Sequence, residues 1–344
     1  MLCLALFFEA SARVLLSIDP VFRAVRRRDD DSSQRLEWVK RHRDRQGFAG
    51  QYAFDIHHPR LGWAVQPNLR DLPVFEGKIL NSNSRGLRGR AEYGERPQPG
   101  RRRIVVLGDS FTFGDEVSDD ETYPSYLQGL LPDTDVLNLG VHGYGHDQML
   151  LYLEDQGLGY HPDVVILGFV WIDTIRNLFG FSNYLKPRFE LVDGTLHLTD
   201  VPVPPPEWVL EREVYRSKAR DMGVMIFEGL RWKFGWNRLR ADRLTRAILA
   251  ELARTVRQAG AVPIFAYLPV LDEVFNTDPV PTPEERFLQD SCRELQVSCL
   301  FLRARLAAAQ RDGVPFDRRT HWPPGGHRAA AQGIREHLRQ AGLE

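Results

Sequence analysis

Cysteine is scarce in this chain, with only Cys3, Cys292 and Cys299 among 344 residues. None stands at zinc-ligand spacing and three cannot form an even framework, so neither a zinc module nor a disulfide-stapled scaffold is expected. Cys292 and Cys299 could meet only if the segment between them turned back, and free, mostly buried thiols are the expectation. An excess of charge of one sign is also lacking: 45 basic residues face 46 acidic ones, for a net charge of -1. No global field favours nucleic acid, and the short basic runs at 26–28 and 101–103 read as solvated segment ends. Internal repeats and low-complexity tracts are absent. The apolar stretch 2–18 is interrupted by Glu9 and Arg13 and is too short to span a bilayer, so an amphipathic helix is its simplest description. His57, His58 and the aspartates at 29–31 have no partners at ligand spacing, and neither a metal nor a cofactor is expected.

What is present divides the chain into three. Residues 1–46 read as an amphipathic and then highly charged helical segment without a core of its own. Residues 47–102 alternate short apolar pairs with Pro59, Gly62, Pro67, Pro73, Gly77 and Gly86, the punctuation of small strands and turns. From 103 to 344 apolar runs alternate with helical periodicity. Strands are expected at 104–108, 136–141, 164–170, 263–268 and 299–302, and helices at 123–131, 146–156, 241–258, 283–295 and 325–340. This pattern predicts an α/β fold: a three-layer α/β/α sandwich on a five-stranded, parallel, flavodoxin-like sheet, with ligands at the carboxyl ends of the strands. A segment at about 178–240 breaks the alternation. It holds a hairpin pattern turning at Asp193-Gly194 and an aromatic-rich run, and it is expected to form an inserted cap.

The chemistry is concentrated in Gly108-Asp109-Ser110-Phe111-Thr112-Phe113-Gly114, directly after the apolar run 104–107. A strand that stops at Gly-Asp-Ser presents a hydroxyl at the sheet edge, where a serine nucleophile can be mounted. Thr112 stands where the Gly-x-Ser-x-Gly elbow needs its second glycine, which excludes that motif. After the next strand comes Asn138-Leu139-Gly140-Val141-His142-Gly143, whose glycines let backbone N–H groups approach an oxyanion closely. Near the C-terminus His321 precedes a helical pattern opened by Gly326-His327, placing an imidazole in a loop that can return to the serine. Together these blocks resemble the SGNH, or GDSL, hydrolase superfamily of esterases, lipases and carbohydrate deacetylases.

The resemblance covers the chain from about 103 onward. It implies Ser110 as nucleophile, His321 as base, and the N–H groups of Ser110 and Gly143 as oxyanion donors. It also implies an acid two or three residues before the histidine, where this chain has Arg318 and Arg319; the nearest carboxylate is Asp317. Asp317 could reach the ring through a bulge, a backbone carbonyl could orient it instead, or the triad is incomplete. In the third block the family's Asn-Asp pair is replaced by Ile172-Asp173, and isoleucine cannot donate. Asn177 or the Trp171 indole would have to substitute, and Asp173, were it to face the site, would have to be protonated or point away. Arg176 and Lys186 fall where a cap would meet the sheet edge, which suits a carboxylate, a sulfate or a sugar hydroxyl in the substrate, or equally a pair of salt-bridged surface residues.

The expected reaction is hydrolysis of an acyl ester through an acyl-serine, with a small-molecule or saccharide ester such as an O-acetyl group as substrate. Two rivals remain: transfer of the acyl group to a polysaccharide hydroxyl, and a catalytically impaired binding module. Family members often carry an N-terminal anchor or export signal, and the stretch 2–18 could be the tail of one whose start lies upstream. The resemblance therefore tilts the chain toward an extracytoplasmic or membrane-associated setting, with peripheral membrane contact through the N-terminal segment.

Overall fold

The computed structural model describes residues 2–27, 30–42, 52–276, 278–316 and 321–344. These form two compact units, one from Val65–Thr174 with Thr245–Glu344, the other from Met1–Ala64 with Ile175–Leu244.

The first unit is built on five apolar strands: β1 (Arg102–Gly108), β2 (Thr134–Gly140), β3 (Val164–Phe169), β4 (Val262–Tyr267) and β5 (Ser298–Phe301). All neighbouring pairs are parallel and the order is β2-β1-β3-β4-β5, the doubly wound arrangement expected from the sequence. Both faces must be covered, because runs such as Val164 to Phe169 are buried throughout. On one face Ile104, Val106, Val136, Ile166 and Ile264 pack with Leu127, Ala330, Ile334 and Leu338 from the helices Tyr123–Leu130 and Pro324–Gln340. The helices His146–Asp155 and Pro283–Leu295 also contact the sheet. The crossover between β1 and β2 leaves on one side of β1 and that toward β4 on the other, so the loop after β1 opens at the switch point where this topology forms a crevice.

Two expectations need correction here. Cys292 and Cys299 are not free thiols but are joined by a disulfide. The helix Pro283–Leu295 ends on Gln296 in the left-handed region, φ 53°, and Val297 N–H donates back to Cys292 C=O; the chain thereby reverses into β5 and brings the two Cα atoms to 6.3 Å. Cys3 remains free and is exposed. The helix expected from 241 begins earlier, at Trp236, directly after Gly235 in the left-handed region.

The second unit is mainly helical: α1 (Leu2–Ser17), α2 (Asp19–Val25), α3 (Asp31–His42), α4 (Pro206–Glu213) and α5 (Lys218–Lys233). Its hairpin pairs Arg188–Val192 with Thr195–Thr199 and turns at Asp193-Gly194, both at positive φ, as that dipeptide predicts. Leu16, Phe22, Leu36 and Met225 form a small core where α1, α2, α3 and α5 meet. Arg35 on α3 adds a buried ion cluster with Glu213 on α4 and Asp221 on α5. Among the described residues no helix is long and apolar enough to cross a membrane.

Candidate active site

Ser110 begins the single helical turn Ser110–Phe113 at the carboxyl end of β1. The sequence forces the turn to sit tightly on the sheet. Asp109 caps it by accepting Phe111 N–H at 3.0 Å, and Asn138 on β2 reaches across to donate to Thr112 C=O at 2.9 Å. A Cβ at Gly140 would fall 2.2 Å from Phe113 N, and one at Gly108 would fall 2.0 Å from Thr112 Oγ1. Gly140 is therefore required by close backbone approach and Gly108 by the Thr112 side chain packed on it, and Asn138 with Gly140 clamps the Ser110 turn to β2. Thr112 Oγ1 adds a 2.8 Å bond to the Tyr123 hydroxyl.

The structure brings Ser110 and His321 together: His321 Nε2 lies 2.8 Å from Ser110 Oγ. Trp322, buried beside the histidine, donates its indole N–H to Pro269 C=O at 2.8 Å, and Phe111 packs against both rings. These contacts hold the imidazole loop down over the turn. His327 is a structural partner: its Nδ1 accepts Tyr123 N–H at 3.2 Å and its ring stacks on Tyr123. Complete burial, helped by the nearby charges of Arg88 and His321, pushes the His327 pKa down to about 3 and keeps the ring neutral.

A carboxylate reaches the other nitrogen of His321, and sequence reasoning missed it. Glu116 Oε1 lies 3.3 Å from His321 Nδ1. Glu116 adopts φ 69°, a left-handed conformation that a residue with a Cβ takes up only at a cost. The loop around it is gathered on Arg88, a buried guanidinium that donates to the carbonyls of Phe113, Gly114 and Val117 at 2.8, 2.6 and 2.6 Å and pairs with Asp119 at 3.0 Å. The same group lies over the Phe113 ring, 4.6 Å from its centroid. The loop from Phe113 to Asp119 is thus stapled around one arginine, with Glu116 set toward the histidine. Burial alone would lower the His321 pKa. The hydrogen bond to Glu116, with the charges of Asp115, Asp109 and Glu116, outweighs it and holds the imidazole above its ordinary value.

The remaining predicted residues are distributed as follows. Asp317 lies outside the described residues. Gly143 sits in the buried loop after β2, at φ 74°, and Val141 N–H ties that loop to Gly108 C=O at 3.0 Å. Ile172 is 42% exposed, Asp173 is buried, and Trp171 stands edge-on to Phe287. Arg176 and Asn177 belong to the other unit, where Asn177 is buried. Lys186 is buried and its Nζ donates to the carbonyls of Arg176, Phe179 and Pro187. A cavity of about 370 Å³ lined by Asn81, Arg88, Tyr93, Asp119 and Gln128 among others includes neither Ser110 nor His321 in its wall.

A parallel sheet in the order 2-1-3-4-5, with a serine after β1 and a histidine before the last helix, defines an α/β/α chain of the SGNH hydrolase class. The chain belongs to the GDSL-like lipase/acylhydrolase family, whose model matches residues 106–342. Among curated proteins none matches it. Solved structures to which it is similar include TesA, with 13% identity over 70% of this chain and 99% of that one at a TM-score of 0.41. The acetyl xylan esterase AlAXEase shares 12% identity over 69% and 99% at 0.41. The psychrotrophic esterase EstA from Pseudoalteromonas sp. shares 11% identity over 71% and 100%, also at 0.41.

Proposed function

We propose that this protein hydrolyses acyl esters through a covalent acyl-serine, with Ser110 as nucleophile, His321 as base and Glu116 as the carboxylate that orients the base. The observation that carries the reading is the 2.8 Å approach of His321 Nε2 to Ser110 Oγ. With Nδ1 protonated and donating to Glu116, Nε2 is free to accept the serine proton, which is the tautomer the reaction requires. Ser110 Oγ attacks the ester carbonyl and its proton passes to Nε2. The negative charge on the carbonyl oxygen is held by the N–H groups of Ser110 and Gly143. Collapse expels the alcohol, which takes the proton from Nε2; water then attacks the acyl-serine with the same histidine as base and releases the acid. O-acetyl groups on saccharides are the substrate class to which this reading extends.

The test is turnover of p-nitrophenyl acetate and of an acetylated oligosaccharide by the wild type and by Ser110→Ala and His321→Ala. Ester hydrolysis that disappears in both variants, with unchanged circular dichroism, supports the reading. Undiminished hydrolysis in folded Ser110→Ala removes it.

A further inference from the structure

α1 is anchored on one side and bare on the other. Glu9 caps the start of α5, accepting Ser217 Oγ at 2.7 Å and the N–H groups of Lys218 and Ala219 at 3.0 Å each. Those backbone donors, Ala219 first, hold the Glu9 pKa down to about 2. Arg13 pairs with Glu9 and donates to Arg216 C=O, and Ala12 and Leu16 are buried. The two charges that interrupt the apolar N-terminal run are therefore the residues that fix the helix's rotation. At about 100° per residue, Leu4, Phe7, Phe8, Val14 and Leu15 fall on the opposite face. They are between 39% and 65% exposed.

α5 repeats the arrangement. Asp221 and Met225 point inward, while Ile226, Phe227, Leu230 and, just past the helix end, Phe234 stand outward and exposed, followed by Trp236 and Leu239. Neither stripe contributes a residue to the small core that Leu16 and Met225 share with Phe22 and Leu36. Between residues 218 and 240 every charged residue that is exposed is basic: Arg220, Lys233, Arg238 and Arg240, the last also donating to Asn237. The acids of that segment are occupied, Asp221 in the buried cluster with Arg35 and Glu228 by Arg231 and Asn237.

We propose that this two-helix face docks on an anionic lipid bilayer, lying in the interface with its apolar stripes in the acyl boundary and its arginines and lysine at the phosphates. Exposed bulky apolar stripes rimmed by cations are what an interfacial helix needs. A second copy of the chain would bring the same cations against themselves, so charge favours the lipid.

The experiment is co-sedimentation of the full chain with phosphatidylcholine vesicles made with and without phosphatidylglycerol. Binding to the anionic vesicles alone, weakened by salt, is expected. Phe8→Ser/Leu230→Ser should reduce it about tenfold or more, since losing two interfacial apolar side chains is worth at least that. Arg220→Gln/Lys233→Gln should weaken binding to the anionic vesicles with the fold, checked by circular dichroism, intact. Absence of binding by the folded wild type, or equal binding to neutral vesicles, overturns the proposal. So does a concentration-dependent dimer that Phe8→Ser/Leu230→Ser abolishes, because a second copy would then cover the face. The readout is vesicle binding, so its failure leaves the hydrolase reading standing, and loss of ester hydrolysis leaves this one standing.

Discussion

His321 Nδ1 faces Glu116 Oε1 at 3.3 Å across 205 positions of sequence. Glu116 lies in the loop that follows the Ser110 turn, so the carboxylate and the serine hydroxyl are both carried by the end of one strand, β1, while the imidazole comes from the loop before the last helix. Anything that moves that loop moves the acid and the nucleophile together.

Replacing Glu116 by glutamine keeps an acceptor near Nδ1 and removes the charge. A hydrogen bond to a charged group is worth about 1.5–3 kcal/mol, so kcat should fall on the order of tenfold to a hundredfold with little change in KM. The pH profile carries the sharper sign. His321 must be neutral to accept the serine proton, and Glu116 holds its pKa above the ordinary value. In Glu116→Gln the acid limb of kcat/KM should therefore move to lower pH. Parallel measurement of Asp317→Asn decides between the two carboxylates: if the limb stays in place in Glu116→Gln and moves in Asp317→Asn, the assignment of Glu116 is wrong.

Arg88 holds the loop through three carbonyls and Asp119. Arg88→Ala leaves those buried acceptors without their donor, and urea unfolding should show a loss of about 3–5 kcal/mol. Arg88→Lys should recover little of it, because one ammonium cannot reproduce the planar fork. The lysine variant, if folded, should also show the shifted acid limb expected of Glu116→Gln. A normal limb there would mean that the arginine does not position Glu116.

His327 gives a stability prediction. Its folded pKa, about 3, lies below the ordinary histidine value of about 6.5, so between those values the unfolded chain binds a proton that the folded chain refuses. Its contribution is complete above about pH 6.5 and declines as pH falls, by up to about 1.4 kcal/mol per pH unit. Urea midpoints measured across this range should fall less steeply with acid in His327→Gln than in the wild type. Identical slopes would contradict a buried neutral His327.

The sequence makes the sheet legible because its strands are uninterrupted apolar runs, and it makes the hairpin legible because Asp193-Gly194 admits few other turns. Ser110 and His321 each stand in a local motif, and around Ser110 the structure explains the glycines by close approach. Glu116 was hidden because its partner lies far away in sequence and its aim depends on Arg88, which contributes no motif at all. The Cys292–Cys299 disulfide was hidden behind the reversal at Gln296, a residue type with no strong preference for the left-handed region. α4 and α5 were masked by an aromatic-rich composition. Glu9 and Arg13 read as flaws in an apolar segment until the contacts with α5 gave them partners.

The central claim is that Ser110 is an activated nucleophile. Its most direct test is intact-mass and peptide mass spectrometry after incubation with a fluorophosphonate probe near neutral pH. One adduct, on the peptide containing Ser110, is expected in the wild type and in Asp317→Asn, much slower labelling in Glu116→Gln, and none in Ser110→Ala or His321→Ala. An unlabelled wild type that is folded, or labelling that persists unchanged in Ser110→Ala, would contradict the account.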